Sequence, residues 1–523
     1  MSLDAAPAGA PASGAPDPAI LRAGRLTVYE LFQAQVRRSP EALAIEQGSG
    51  RDRIRLSYGA LDRRVQHAAG LLLKLGIRRG DRVAVLSENR FEYIELELAA
   101  AMIGAIVACQ NWRLTPDELR HCLTLVTPKV VFVSARHGAA LGRIDHGAAH
   151  VVEIEKDYER LIGETDPAAP EPAVDPEDGL VILYTSGTTG LPKGALISHR
   201  AEIARMTALR LDIRATEGDG FVAWAPMFHM ASTDQMLGAL MSGAPVIVVD
   251  GMKPRAIVDA LERYRLGWLV LMPGAIQPVI EEMQARGAVP KGIRAIGAMA
   301  DLVPAKQLSE VTALMQAPYY NSFGATETGL PPASGALLAP GEMPTSLSRK
   351  KSALCEFRLV DGSGRDVADG EPGEIAIRGP TVFSGYWNAP EVNARDFRGG
   401  WFHMGDLFRR NPDGTYDFVD RAKYMIKSGG ENIYPAEIER VLLADPRVAD
   451  AVVVRKKDPA WGEVPVAFIA RLDETLSGAD IEALCRARLA GYKRPKEVRF
   501  VALEALPRSA TGKIQRHEIE KWL

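Results

Sequence analysis

Between residues 180 and 325 two periods alternate along the chain. Short apolar runs at 221–225, 245–249, 267–272 and 293–297 read as buried strands, and residues 232–242, 254–264, 275–286 and 304–316 between them carry the 3.6-residue period of amphipathic helices. Strand–helix alternation of this kind predicts a mostly parallel sheet with helices on its faces, binding ligands at loops beyond its strand ends. Upstream, helices over 60–76 and 91–103 flank the strand Arg82-Val83-Ala84-Val85-Leu86. From 355 to 420 the pattern turns to short strands and turns rich in Gly and Asp, a small β subdomain. After Asp420 a helix at 435–444, strands at 451–454 and 465–471, a helix at 479–489 and a strand at 497–501 make an α+β unit of about a hundred residues. Residues 1–23, mostly Ala, Pro, Gly and Ser, have no period and read as a disordered tail. The fold expected is α/β: a large body over 24–420, built of stacked mixed α/β subdomains plus the β subdomain, and a small mobile α+β unit over 421–523.

Composition narrows the function classes. At 523 residues the chain exceeds one ordinary domain. An apolar share of 47%, a charged share of 25% and a net charge of -3 describe a globular chain with no basic excess for nucleic acid or an anionic membrane. Cys109, Cys122, Cys355 and Cys485 are scattered, without disulfide or metal spacing, which fits a reducing cytoplasm. Glu95, Glu97 and Pro245 interrupt the longest apolar stretches, so no transmembrane segment is expected, and no signal peptide is visible.

The stretch richest in chemistry is Thr185-Ser186-Gly187-Thr188-Thr189-Gly190-Leu191-Pro192-Lys193-Gly194, set between two apolar runs. Its ten residues supply three glycines, four hydroxyls and one lysine, with no acidic side chain. Glycines let backbone N–H groups approach an anion, and hydroxyls and an ammonium add donors, so a polyphosphate is the natural guest. The spacing is not that of a Walker loop, whose lysine opens a helix. Other clusters have bland alternatives when taken singly. His229, in Pro226-Met227-Phe228-His229-Met230, can be a structural histidine at a strand end. Asn321-Ser322-Phe323-Gly324-Ala325-Thr326-Glu327-Thr328-Gly329 offers an aromatic plate, hydroxyls and one carboxylate, or an ordinary Gly-rich turn. Asp406 can hold a diol or cap a turn. Arg421-Ala422-Lys423 sits at the expected junction between units. Pro507-Arg508-Ser509-Ala510-Thr511-Gly512-Lys513 places a lysine behind a Thr-Gly turn near the C-terminus.

In this order and spacing the clusters resemble the adenylate-forming superfamily, the acyl-CoA synthetases and the fatty-acid, aryl and coumarate-CoA ligases among them. Ser428-Gly429-Gly430-Glu431-Asn432-Ile433-Tyr434-Pro435 stands in a form common among CoA ligases. The resemblance covers the chain from about residue 25 to 523. It implies an AMP-forming acid–thiol ligase that joins a carboxylate to ATP, releases pyrophosphate, and passes the acyl group from acyl-AMP to CoA. By resemblance Thr185, Ser186, Gly187, Thr188, Thr189, Gly190 and Lys193 wrap the β- and γ-phosphates, and Thr326 contacts the α-phosphate beside Ser322. Phe323 stacks on adenine, Asp406 binds the ribose with Arg421 nearby, and Glu327 with Thr185 holds Mg2+. Lys513 bridges carboxylate and α-phosphate, Lys423 is the hinge, and Lys427, Gly429 and Gly430 serve the thioester step. His229, Met230, Gly297 and Ala298 border the acyl pocket, with His229 as its gate.

The acid itself is the least legible part. Met230, Ala231, Met236 and Met299 suggest a mostly apolar acid. Asp234 departs from that lining, either turned away from the pocket or favouring a polar substrate. No arginine stands near His229 in the sequence, which argues against a second carboxylate. A stand-alone enzyme loading a carrier-protein thiol is the alternative acceptor reading. Partners expected are the acid, ATP and CoA, with no nucleic acid; a homodimer and a lysine acyltransferase acting on Lys513 are compatible with the sequence.

Overall fold

A computed structural model describes residues 23–185, 191–429, 431–508 and 514–523. Two sheets form the large body. In the first, eight strands run in the order Leu337–Leu338, Tyr319–Tyr320, Ile293–Ile296, Leu266–Leu269, Gly220–Ala223, Val246–Val248, Leu43–Gln47 and Ile54–Ser57. Its inner pairs are parallel and its two edge pairs antiparallel. The second has six strands, His150–Glu153, Val130–Val133, Arg82–Leu86, Ile106–Cys109, Gly179–Thr185 and Lys193–Ser198, of which only the last pair is antiparallel.

The helices fall where the period places them: Tyr58–Lys74, Phe91–Ile103, Met230–Met241, Pro254–Arg263, Pro273–Arg286 and Ala305–Met315. Phe91–Ile103 and Met230–Met241 are buried along their whole lengths, which suits helices covered on both sides.

Asn89, 5% exposed just beyond strand Arg82–Leu86, fastens the two sheets together. Its Nδ2 donates to the carbonyls of Ala223 at 3.0 Å, Ala225 at 2.7 Å and Val249 at 3.1 Å, and its Oδ1 accepts from Met227 N at 2.9 Å. One carboxamide next to the six-stranded sheet thus bonds to four backbone groups at strand ends of the eight-stranded sheet.

The β subdomain is antiparallel: Glu356–Val360, Pro372–Arg378, Trp401–Arg410, Phe397–Arg398, and Tyr416–Arg421 on the far side of Trp401–Arg410. Beyond it, Glu431–Ile433, Ile426–Ser428, Gly462–Arg471, Val448–Asp458 and Glu497–Val501 make a mixed sheet. One face packs on helices Pro435–Leu442 and Gly478–Arg488, the other on Arg516–Glu520, giving it separate cores. Among the described residues no helix is long and apolar enough to cross a membrane.

Asp420 links the β subdomain to this last unit. One carboxylate oxygen accepts from Arg421 N at 2.7 Å, the other from Ala436 N at 2.8 Å in the first turn of helix Pro435–Leu442. Burial pushes the Asp420 carboxyl up to about 6, against the pull of Arg516 and of those two N–H donors. The native state therefore holds this proton more tightly than the unfolded chain, and the group's contribution falls as pH rises from about 4 to about 6. Lowering the pH from 7 to 5 should raise the stability of the wild type relative to Asp420→Asn by about 1 kcal/mol. Parallel denaturant titrations at the two pH values would measure it, and an unchanged difference would refute the assignment.

Candidate active site

The phosphate-loop expectation falls on a hairpin. Strands Gly179–Thr185 and Lys193–Ser198 pair antiparallel, with Thr185 opposite Lys193. Ser186, Gly187, Thr188, Thr189 and Gly190 lie outside the described residues, as do Gly430 and Lys513. The residues flanking this last segment, Arg508 and Ile514, pair antiparallel.

Residues 384–387 lie along strand Lys193–Ser198, with Ser384 N donating to Leu196 O and Trp387 N to Gly194 O, each at 2.8 Å. This pairing puts the Tyr386 ring beneath Lys193, whose Nζ is 3.7 Å from the ring centroid. The Tyr386 hydroxyl donates to Glu327 Oε1 at 2.6 Å. Burial, then the neighbouring Glu327, pushes the phenol well above its usual range, so it stays a donor. Burial also lowers the Lys193 ammonium, against the field of Glu327. Phe383 N donates to Glu327 O at 2.9 Å, fixing the backbone that carries the carboxylate. Tyr386 is one residue of this cluster that sequence reasoning missed. Its only signal was an aromatic in a Gly-flanked turn, Ser384-Gly385-Tyr386-Trp387.

Asp406 and Arg421 face each other across Trp401–Arg410 and Tyr416–Arg421. Arg421 Nε lies 3.0 Å from Asp406 Oδ1, with Asp406 buried and the guanidinium half exposed. Asp406 raises the Arg421 pKa, and Glu327 contributes in the same direction, so the guanidinium lies within the field of the Glu327 cluster. Phe323 is half-buried, edge-on to Phe408 at 4.6 Å and tilted on Phe418 at 5.8 Å. Ser322 is buried beside it, and Thr326 is half-buried.

His229 caps helix Met230–Met241, its Nδ1 accepting from Ala231 N at 3.2 Å. Ser232 Oγ and Thr233 Oγ1 donate to the carbonyls of Ala225 and Met227, so the strand-end loop is tied to the helix it enters. Met230 is buried. Met236, expected near the pocket, is wholly buried in the helix packing. Trp112 stands edge-on to Phe228 at 5.9 Å. Gly297 and Ala298 are clasped by Tyr319, whose hydroxyl accepts from Ala298 N at 3.2 Å and donates to Ala298 O at 2.8 Å. Gly297 has φ +83°, and a Cβ there would come within 2.1 Å of the Tyr319 ring; only glycine fits.

Two expectations change. Although the sequence around His229 holds no arginine, the fold brings Arg113 over both Trp112, at 4.8 Å, and Phe228, at 5.9 Å. Burial lowers its pKa. Asp234, open in the sequence between two orientations, is wholly buried with Oδ2 3.5 Å from Arg205 Nη1, inside the protein and not in an apolar lining.

Beyond the junction, Lys423 lies over the Tyr424 ring at 4.8 Å. Exposed Lys427 donates its N–H to Glu463 Oε2 at 2.9 Å, and the indole of Trp461 packs on Gly429.

Comparison with known proteins finds matches along most of the chain. Residues 32–387 match the family model of AMP-binding enzymes, and 437–513 match the AMP-binding enzyme C-terminal domain. The chain is 35% identical to an indoleacetate–CoA ligase of Aromatoleum aromaticum over 89% of its length and 93% of that protein. It is 34% identical to a feruloyl-CoA synthase of an Amycolatopsis species over 93% of this chain and 97% of that one. Among solved structures, an o-succinylbenzoate CoA synthetase of Bacillus subtilis in complex with its acyl-adenylate intermediate superposes with a TM-score of 0.82 at 25% identity, over 95% of this chain and 98% of that one. The chain belongs to the family of AMP-binding enzymes. Within it the chain is an ATP-dependent acyl-CoA ligase, an acid–thiol ligase working in two half-reactions through acyl-AMP.

Tyr386→Phe keeps the ring under Lys193 and removes only the hydroxyl on Glu327. ATP–pyrophosphate exchange should fall about 10-fold or more, the range for a lost bond to a charged group, with an unchanged KM for the acid. An unaltered exchange rate would show that this bond does not serve the site.

Proposed function

We propose that this ligase activates an aromatic or arylalkyl carboxylic acid, with the described cluster arranged around ATP. The observation that carries the nucleotide part is the meeting of Lys193, Tyr386, Glu327, Arg421 and Asp406 beside the Thr185 hairpin. The aromatic part is supported by Trp112, Phe228 and Met230 around the His229 cap and by the indoleacetate and feruloyl ligases among the relatives.

In this reading residues 185–193 receive the β- and γ-phosphates, which leave as pyrophosphate. Thr326 meets the α-phosphate with Ser322 adjacent, Phe323 offers its ring to adenine, and Asp406 takes the ribose diol, oriented by Arg421. Lys513 bridges the attacking carboxylate and the α-phosphate. A carboxylate approaching a phosphate meets like-charge repulsion, and cations fixed beforehand lower that barrier. A single ammonium on a flexible stem suits the bridging position. Glu327 and Thr185 are a carboxylate and a hydroxyl, the hard oxygen donors that Mg2+ prefers, and Mg2+ takes its remaining ligands from phosphate and water. It would neutralise phosphate charge there.

For the second half-reaction we infer a rotation of 421–523 about Lys423 that withdraws Lys513 and brings Lys427 and Gly429-Gly430 toward the acyl-AMP, admitting the thiol of CoA. Acylation of Lys513 would neutralise the same ammonium. With four free cysteines among the described residues, we infer a reducing cytoplasm as the compartment.

A panel of aryl, arylalkyl and alkyl acids, assayed for pyrophosphate release with and without CoA, should rank aryl and arylalkyl acids first. A ranking led by alkyl acids would overturn the substrate reading. Lys513→Ala should lose adenylation by orders of magnitude yet keep thioester formation from supplied acyl-AMP; equal loss of both steps would refute its role. Lys423→Pro should do the reverse, sparing pyrophosphate release and blocking thioester formation.

A further inference from the structure

Behind the site, helices Phe91–Ile103, His199–Asp212 and Met230–Met241 enclose a polar cluster that the reaction as described does not use. Arg205, Asp234, Glu202 and Glu97 are all wholly buried. Burial pushes Glu97 and Glu202 well above the usual carboxyl range and Asp234 up to about 6, leaving Asp234 the natural counter-ion of Arg205.

The guanidinium reaches in three directions. Nε donates to Thr381 O at 3.0 Å, Nη2 donates to Thr326 O at 3.1 Å, and Nη1 lies 3.5 Å from Asp234 Oδ2. Thr326 immediately precedes Glu327. Thr381 lies two residues before Phe383, whose N–H holds the Glu327 carbonyl. Arg205 therefore grips both segments that fix the Glu327 backbone. Its stem fills the space beside Gly329, where a Cβ would come within 2.7 Å of Arg205 Cγ. Space-filling alone does not call for an arginine, because burying a charge is costly and an apolar side chain of that volume packs as well. A planar fork does donate to two fixed carbonyls while setting its charge against a carboxylate.

We propose that Arg205 is a positioning residue that fixes the backbone of Thr326 and Glu327 from behind, and that Asp234 joins this brace to the helix capped by His229. Acyl pocket and nucleotide loop would then share one buried strut. The inference rests on the roles given above to Thr326 and Glu327.

The test compares Arg205→Met, Arg205→Lys and Asp234→Asn in the full chain, with Glu327→Gln as reference. Hydrogen–deuterium exchange should speed up several-fold in a peptide spanning 322–330 for both Arg205 variants. For Asp234→Asn it should speed up there and in a peptide spanning 229–234. Adenylation kcat should fall 10- to 100-fold in Arg205→Met, as expected from a small misplacement of reacting groups, with little change in the KM for the acid. Arg205→Lys should recover part of that loss, since it keeps the charge and loses the fork. If Arg205→Met does not fold, the lysine and Asp234 variants still carry the test. Folded variants with wild-type exchange over 322–330 and wild-type kcat would overturn the inference, even with Glu327→Gln inactive. Faster exchange over 322–330 alongside a fully active Glu327→Gln would instead uphold the brace and remove the role assigned to Glu327.

Discussion

The arrangement depends on one carboxamide. Asn89 stands where the ends of two sheets meet and bonds to four backbone groups there. An apolar residue there would leave Met227 N and Val249 O without these bonds, at about 1–3 kcal/mol each, while Ala223 O and Ala225 O still accept from Val249 N and Ser232 Oγ. The constraint is also geometric. Because Asn89 holds both Ala225 and Met227, the turn into His229 has a fixed height above the six-stranded sheet. The six-stranded sheet ends in the hairpin of Thr185 and Lys193, so the turn into His229 and that hairpin are set against each other by the same joint.

From that joint, charge is distributed by backbone pairing more than by side-chain choice. Lys193 and Tyr386 meet because residues 384–387 run along strand Lys193–Ser198. Asp406 and Arg421 meet because they are register partners. The cations are moderated by neighbours without being fully neutralised, Lys193 by an aromatic face and Arg421 by a carboxylate that leaves it half exposed. Such groups can accept a polyanion with little reorganisation, the property that electrostatic catalysis requires.

Much of this was legible in the sequence because it is periodic or local. The helices and parallel strands of 220–316 follow their apolar repeats to within about three residues. Strand Val448–Asp458 extends well past the expected 451–454 because its polar end, Arg455 to Asp458, is held by a hairpin with Gly462–Arg471 and not by burial. What stayed hidden is long-range. Tyr386 reaches Glu327 across 59 residues, and Arg205 reaches Thr326 across 121. No period or spacing marks such pairs. Asp234 was visible only as an anomaly, a carboxylate in an apolar helix, and its partner lay on another element. Arg113 was missed for the same reason.

The Tyr319 clasp on Gly297 and Ala298 bears on how this enzyme could change its acid. The clasp is made to backbone atoms and tolerates no Cβ at Gly297, so that wall of the proposed pocket has almost no accessible mutational neighbours. If Met230 and Ala231 also border the pocket as proposed, variation in acid preference would fall to such side chains and not to Gly297. A lineage of such enzymes would diverge at its pocket side chains while Gly297 stayed glycine.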